Sequence, residues 1–150
     1  MQGKKVSDSA SETIGLPHSG MFNTTGTLHG GELFKMIDDI GGVAAMRHSG
    51  THVVTASVSW LRYIDSIYAG ELLILKSSVQ TVGRTSMEVG VRAEVDNVGR
   101  GERRHVATCF LTYVSVDEQG LPRAVPPLIV ETEDEIRRQK QAEDRKKSRA

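Results

Sequence analysis

One cysteine, Cys109, stands in 150 residues. No intrachain disulfide can form, and a lone thiol suits a reducing compartment, so a cytoplasmic location is expected. An excess of one charge is also missing. The 19 basic and 19 acidic side chains cancel, which removes the general electrostatic footprint of a nucleic-acid binder. No run of about 18 apolar residues occurs, so no membrane-spanning helix is expected. The opening MQGKKVSDSASET carries two lysines but lacks the apolar stretch of a secretory signal. Aromatic residues make up only 5%, and Trp60 and Tyr63 read as packing residues rather than as stacking platforms for bases. A Gly-x-Ser-x-Gly elbow is absent, which argues against a serine hydrolase. His48 and His52 are four apart but straddle Gly50. They cannot share a helical face as zinc ligands would, so no metal site is expected.

What is present fits a single globular domain: 38% hydrophobic and 25% charged residues, in a chain long enough to bury a core. Residues 1–12 are polar, serine-rich and without periodicity, and read as a mobile leader. Residues 13–130 form the domain, beginning with GLPHSGMFN as an irregular segment or a short edge strand. Residues 131–150 read as a charged helical tail. Acids lead it and bases end it (Arg145, Lys146, Lys147, Arg149), the order a helix macrodipole favours.

The stretch NTTGTLHGGELFKMIDDIGG introduces a long helix, expected from Gly30 to His48 with Gly50 as its stop. At about 100° per residue, Leu33, Ile37, Ile40 and Ala44 fall on one stripe. Met36 and Val43 widen it on one side, Phe34 and Ala45 on the other. Asp39 and Lys35 fall opposite. Asp38 falls at the apolar border, beside Phe34, Gly41 and Ala45. The period then changes to two. HVVTASVSWLRYI, ELLILKSSVQTV, TSMEVGVRAEV and RRHVATCFLTYVSV read as four long strands, and their short turn-rich links imply antiparallel neighbours. The fold class expected is α+β, with a curved sheet around one helix.

Chemistry concentrates at this helix. His29-Gly30-Gly31 at its start offers free N–H groups and the positive dipole end to an anion or a developing oxyanion, although glycines also serve packing alone. Asp38 could act as general base or nucleophile, or be a paired interface carboxylate. Asn23 could orient a water or a carbonyl, or simply hold a turn. Arg84, Thr85 and Ser86 form either an ordinary hairpin turn or a phosphate-facing one. Cys109, among apolar strand residues, reads as core.

Together these stretches, with GRTSMEV, ATCFLTYVSVDEQGLPRAVP and AEDRKKSR in this order, resemble the hotdog-fold acyl-CoA thioesterases, specifically the acyl-CoA hydrolase branch. The resemblance runs from about Asn23 to the tail. It implies a helix wrapped by an antiparallel sheet, protomers pairing their sheets edge to edge, and often three such dimers in a hexamer. It implies hydrolysis of acyl-CoA to coenzyme A and a carboxylic acid with no cofactor beyond the substrate's own coenzyme A. By the same resemblance Asp38 matches the catalytic acid and Gly31 the backbone donors that polarise the thioester carbonyl. Asn23 matches an amide supplied across the dimer interface. Arg84, Thr85, Ser86 and the basic tail match regions near coenzyme A, with His29 and Gly30 beside the pocket. His29 stands where the family commonly has Phe or Tyr, and Asp39 where it often has Glu. A hydratase or dehydratase on the same fold would need a catalytic histidine, and the Asp-x-Asn-Pro-x-His pattern is absent. A non-catalytic acyl-CoA binding module is the remaining alternative.

Overall fold

A computed structural model of the chain describes residues 1–148. Arg149, counted above in the basic tail, lies outside the described residues. The chain order is β1 (Lys4–Lys5), α1 (Val6–Ser9), β2 (Ser11–Gly15), a 3-10 turn (Ser19–Met21), α2 (Gly30–Ser49), β3 (His52–Tyr63), β4 (Leu72–Val82), β5 (Ser86–Asn97), β6 (Glu102–Val116), β7 (Leu128–Ile129) and α3 (Glu133–Ser148).

The apolar stripe decides where α2 lies. Leu33, Ile37, Ile40, Ala44 and Ala45 are buried, while Lys35 and Asp39 are exposed. Ile37 has no solvent exposure, so its truncation to alanine is expected to cost about 2–5 kcal/mol. The helix ends where glycine can adopt a left-handed backbone: Gly50 has φ 72°, and its N–H caps Met46 O at 2.8 Å.

Five strands in the order β2-β4-β5-β6-β3 curl around this helix, each antiparallel to its neighbour. On β5, Met87, Val89, Val91, Ala93 and Val95 face the helix and are buried. The alternate residues face outward, yet Glu88 and Glu94 are buried too. Helix α3 explains the first: Arg145 donates from Nε to Glu88 at 2.8 Å, and its guanidinium sits 3.6 Å above the Phe110 ring. Arg92 and Lys76 hold Glu94 at 2.6 and 3.4 Å, and these partners keep its carboxyl below the usual range despite burial.

One expectation changes. Residues 1–12 are not an unstructured leader. β1 pairs parallel with β7, Val6 and Ser9 are buried, and β2 adds a fifth strand beside β4. Arg47 near the end of α2 fixes this segment by donating to Ala10 O and Ser11 Oγ at 3.1 and 3.0 Å. The edge strand ends at Gly15, the first residue of GLPHSGMFN, and the rest of that stretch is irregular and holds the 3-10 turn, the first of its two expected readings. Trp60 and Tyr63 lie on edge strand β3 with about half their surface exposed, 51% and 48%, and Tyr63 packs against Gly30. Cys109 is buried in the core as expected, and burial followed by the nearby Asp38 charge pushes its thiol up to about 12.

Candidate active site

The site begins with two hydroxyls. Thr55 on β3 and Tyr113 on β6 are directly opposed in the strand register, and both face α2. Thr55 Oγ1 donates to Asp38 Oδ1 at 2.8 Å. Tyr113 Oη donates to the Asp38 carbonyl at 2.8 Å and reaches the same Oδ1 at 3.1 Å. Oδ2 accepts no hydrogen bond among the described residues. A break in the β3–β6 register between Thr55 and Ser57 re-aims the strand immediately after the threonine. Asp38 itself is half-buried, as its place at the apolar border requires. Burial and the adjacent Asp38 carboxylate push the Tyr113 hydroxyl far above its ordinary range, so it is a hydrogen donor at any working pH.

Two turns before Asp38 lies the start of α2. His29 caps it without a side-chain hydrogen bond and is exposed, while its N–H donates to Met21 O at 3.0 Å. The first intrahelical bond runs from Leu33 N–H to His29 O. The N–H groups of Gly30, Gly31 and Glu32 therefore lack partners among the described residues. A side chain at Gly31 would meet nothing within 4 Å, so the backbone there is open to a ligand. Gly30 is closed on one side by Tyr63, whose hydroxyl donates to Gly30 O at 2.7 Å.

Asn23 is the organiser of a tight loop. Its Oδ1 accepts from the Thr25 and Thr27 N–H groups at 3.0 and 3.1 Å, and its Nδ2 donates to Thr27 Oγ1 at 2.9 Å. No hydrogen bond joins it to Asp38 within one chain among the described residues.

The Arg84-Thr85-Ser86 turn is closed by Gly83 N–H to Ser86 O at 2.9 Å, and Arg84 is exposed. The basic end of α3 reaches it: Lys146 Nζ would lie 3.4 Å from a Cβ on Gly83. The structure thus brings the turn and the tail together. It joins neither to Asp38 by a hydrogen bond or ion pair among the described residues.

Thr55 and Tyr113 were not singled out in the sequence. Both sit in β-branched and apolar runs where a hydroxyl reads as an ordinary strand residue. The available signal was their parity, since the polar border of α2 needs donors from the strand face turned toward it.

A long helix wrapped by a five-stranded antiparallel sheet, with a bonded carboxylate at its border and open N–H groups at its start, defines the hotdog class. The thioesterase superfamily model matches residues 25–101. An uncharacterized acyl-CoA thioester hydrolase of Bacillus subtilis, YkhA, is 41% identical over 76% of this chain and 66% of its own length. The cytosolic acyl coenzyme A thioester hydrolase of Mus musculus is 36% identical over 89% of this chain and 35% of its own length. The chain therefore spans just under two thirds of the first relative and about a third of the second.

Among solved structures, an apo-hexameric acyl-CoA thioesterase is 38% identical and superposes with a TM-score of 0.96 over 99% of this chain and 96% of its own. The acyl-CoA hydrolase of Staphylococcus aureus, in complex with butyryl coenzyme A, coenzyme A and coenzyme A disulfide, is 32% identical with a TM-score of 0.91 over 97% and 89%. Alanine variants of that hydrolase at an aspartate, an asparagine and a threonine are also known. Its asparagine precedes the aspartate by 15 positions and its threonine follows by 17, the spacing of Asn23, Asp38 and Thr55 here. The chain belongs to the thioesterase superfamily.

Proposed function

We propose that the protein is an acyl-CoA thioester hydrolase, converting acyl-CoA and water to free coenzyme A and a carboxylic acid. The observation that carries this reading is Asp38: its Oδ1 is held by two hydroxyls while, among the described residues, its Oδ2 is free and the first N–H groups of its helix are unpartnered.

Water attacks the thioester carbon as its proton passes to Asp38 Oδ2. The carbonyl oxygen becomes an oxyanion and is met by the N–H of Gly31 and its neighbours at the positive end of α2. The tetrahedral adduct then collapses, the C–S bond breaks, and the proton on Asp38 goes to the departing thiolate. No metal or redox group takes part. Asn23 from a paired subunit positions the water. His29 and Gly30 border the acyl pocket, and Arg84, Thr85, Ser86 and the basic end of α3 receive the phosphates of coenzyme A.

The pairing is supported by β3. Among the described residues it is an edge strand paired with β6 alone, and it exposes Val54, Val58, Trp60 and Tyr63. Such an edge invites a second sheet. A second copy of the chain covers it, giving a dimer, and three dimers form a hexamer like the hexameric relative. The buried, unreactive Cys109 thiol is consistent with the cytoplasm as the site of action. Among the described residues no helix is long and apolar enough to cross a membrane.

Free-thiol release from acyl-CoAs of increasing chain length tests the reading. Chain-length-dependent release is expected. Hydration of an enoyl-CoA without thiol release, or tight acyl-CoA binding without turnover, would overturn it.

A further inference from the structure

Tyr113 is almost wholly inside the protein, with 1% of its surface exposed. A phenylalanine would fill the same space, so the hydroxyl needs its own reason, and a buried phenol needs an acceptor. Its acceptors are both on Asp38, at 2.8 and 3.1 Å. Reaching them requires a gap in the helix. Gly41 provides it: a Cβ there would overlap the Tyr113 hydroxyl and lie 3.2 Å from the ring carbon bearing it. Gly41 is buried inside α2, where glycine is a poorer helix former than alanine. The cost is explained by what it admits.

We infer that Tyr113 is a positioning residue for hydrolysis. With its register partner Thr55 it fixes Asp38 Oδ1 and leaves Oδ2 to take the proton of water, and Gly41 is the opening in α2 through which it acts. The inference rests on the thioesterase reading for its chemistry and on the hydrogen-bond geometry for its form. A carboxylate held by Thr55 alone can turn about its Cβ–Cγ bond and exchange its two oxygens. A second donor at the same oxygen stops that exchange and presents one oxygen only.

Tyr113→Phe keeps the ring and removes the bond. The expected result is a kcat lower by about tenfold, the scale of a hydrogen bond to a charged group, with KM within about twofold because substrate contacts are untouched. A role in packing alone would alter thermal stability and leave kcat in place. Gly41→Ala keeps the hydroxyl but displaces it, and is expected to lower kcat in the same way. Adding it to Tyr113→Phe lowers kcat no further, since both act through one bond.

A folded Tyr113→Phe protein with wild-type kcat would overturn the inference. If the wild type releases no thiol from any acyl-CoA, the thioesterase reading fails instead. The positioning is then read from the infrared carboxylate stretches of carboxyl-labelled aspartate at neutral pH, with Asp38→Asn subtracted. The Asp38 bands move in Tyr113→Phe if the geometry holds, and unchanged bands overturn it.

Discussion

Thr55 Oγ1 donates to Asp38 Oδ1 at 2.8 Å, from the exposed edge strand β3 to the border of the central helix. This bond ties the acid to the sheet edge where the second subunit is proposed to pair. Thr55→Ala is expected to lower kcat by about tenfold, while Thr55→Ser, which keeps the hydroxyl, retains most of the rate. Steady-state kinetics of the two variants beside wild type check this, and equal losses would show that the methyl group matters rather than the bond.

Asn23 holds its own loop through acceptor contacts at 3.0 and 3.1 Å and a donor contact to Thr27 Oγ1 at 2.9 Å, which the Thr27 hydroxyl can replace by donating to a carboxylate. Asn23→Asp keeps those acceptors and removes the donor. Activity is expected to fall by about tenfold or more with thermal stability nearly unchanged. The shared site gives a sharper test. Asn23→Ala and Asp38→Asn subunits, each inactive alone, should regain about a quarter of wild-type activity after subunit exchange, because half of the randomly formed dimers contain one intact site of two. Absence of any recovery in verified mixed dimers would place both residues in one chain's site.

His48 predicts the acid limit of stability. It is fully buried, with Nε2–H donating to Pro126 O at 2.8 Å and Nδ1 without a partner among the described residues. Burial lowers its pKa from 6.5, opposed by the bond to Pro126. The unfolded chain therefore binds a proton below about pH 6.5 that the native chain refuses. Stability falls as pH drops through that value, by up to about 1.4 kcal/mol per unit for one proton, until native His48 itself protonates. Urea midpoints at pH 7.5 and 5.5 should fall further for wild type than for His48→Gln. Equal falls would assign the acid sensitivity to other groups.

The central helix and the four long strands were legible because each has a strong period. Leu33, Ile37, Ile40 and Ala44 repeat at the helical interval, and Met87 to Val95 alternate cleanly. Gly50 marked the stop for a reason its left-handed backbone makes plain. The border position of Asp38 was legible from the same wheel.

Residues 4–15 were not legible. Their order comes from partners far along the chain: Ile129, Ser77 and Arg47. No local pattern announces contacts of that kind. Trp60 and Tyr63 were read as packing residues, but composition does not show that both lie on a sheet edge with about half their surface exposed. Thr55 and Tyr113 were missed because their value lies in register. Only the opposed positions on β3 and β6 bring both hydroxyls to one carboxylate oxygen.

The most direct test of the account is thiol release by wild type and Asp38→Asn, side by side, over short- to long-chain acyl-CoAs. Asparagine keeps the size of the side chain and an oxygen for Thr55 and Tyr113, but cannot take a proton from water. The account predicts a turnover lower by about 10² or more on every substrate that wild type hydrolyses, the scale of losing a general base. Near-wild-type rates in the folded variant would contradict it.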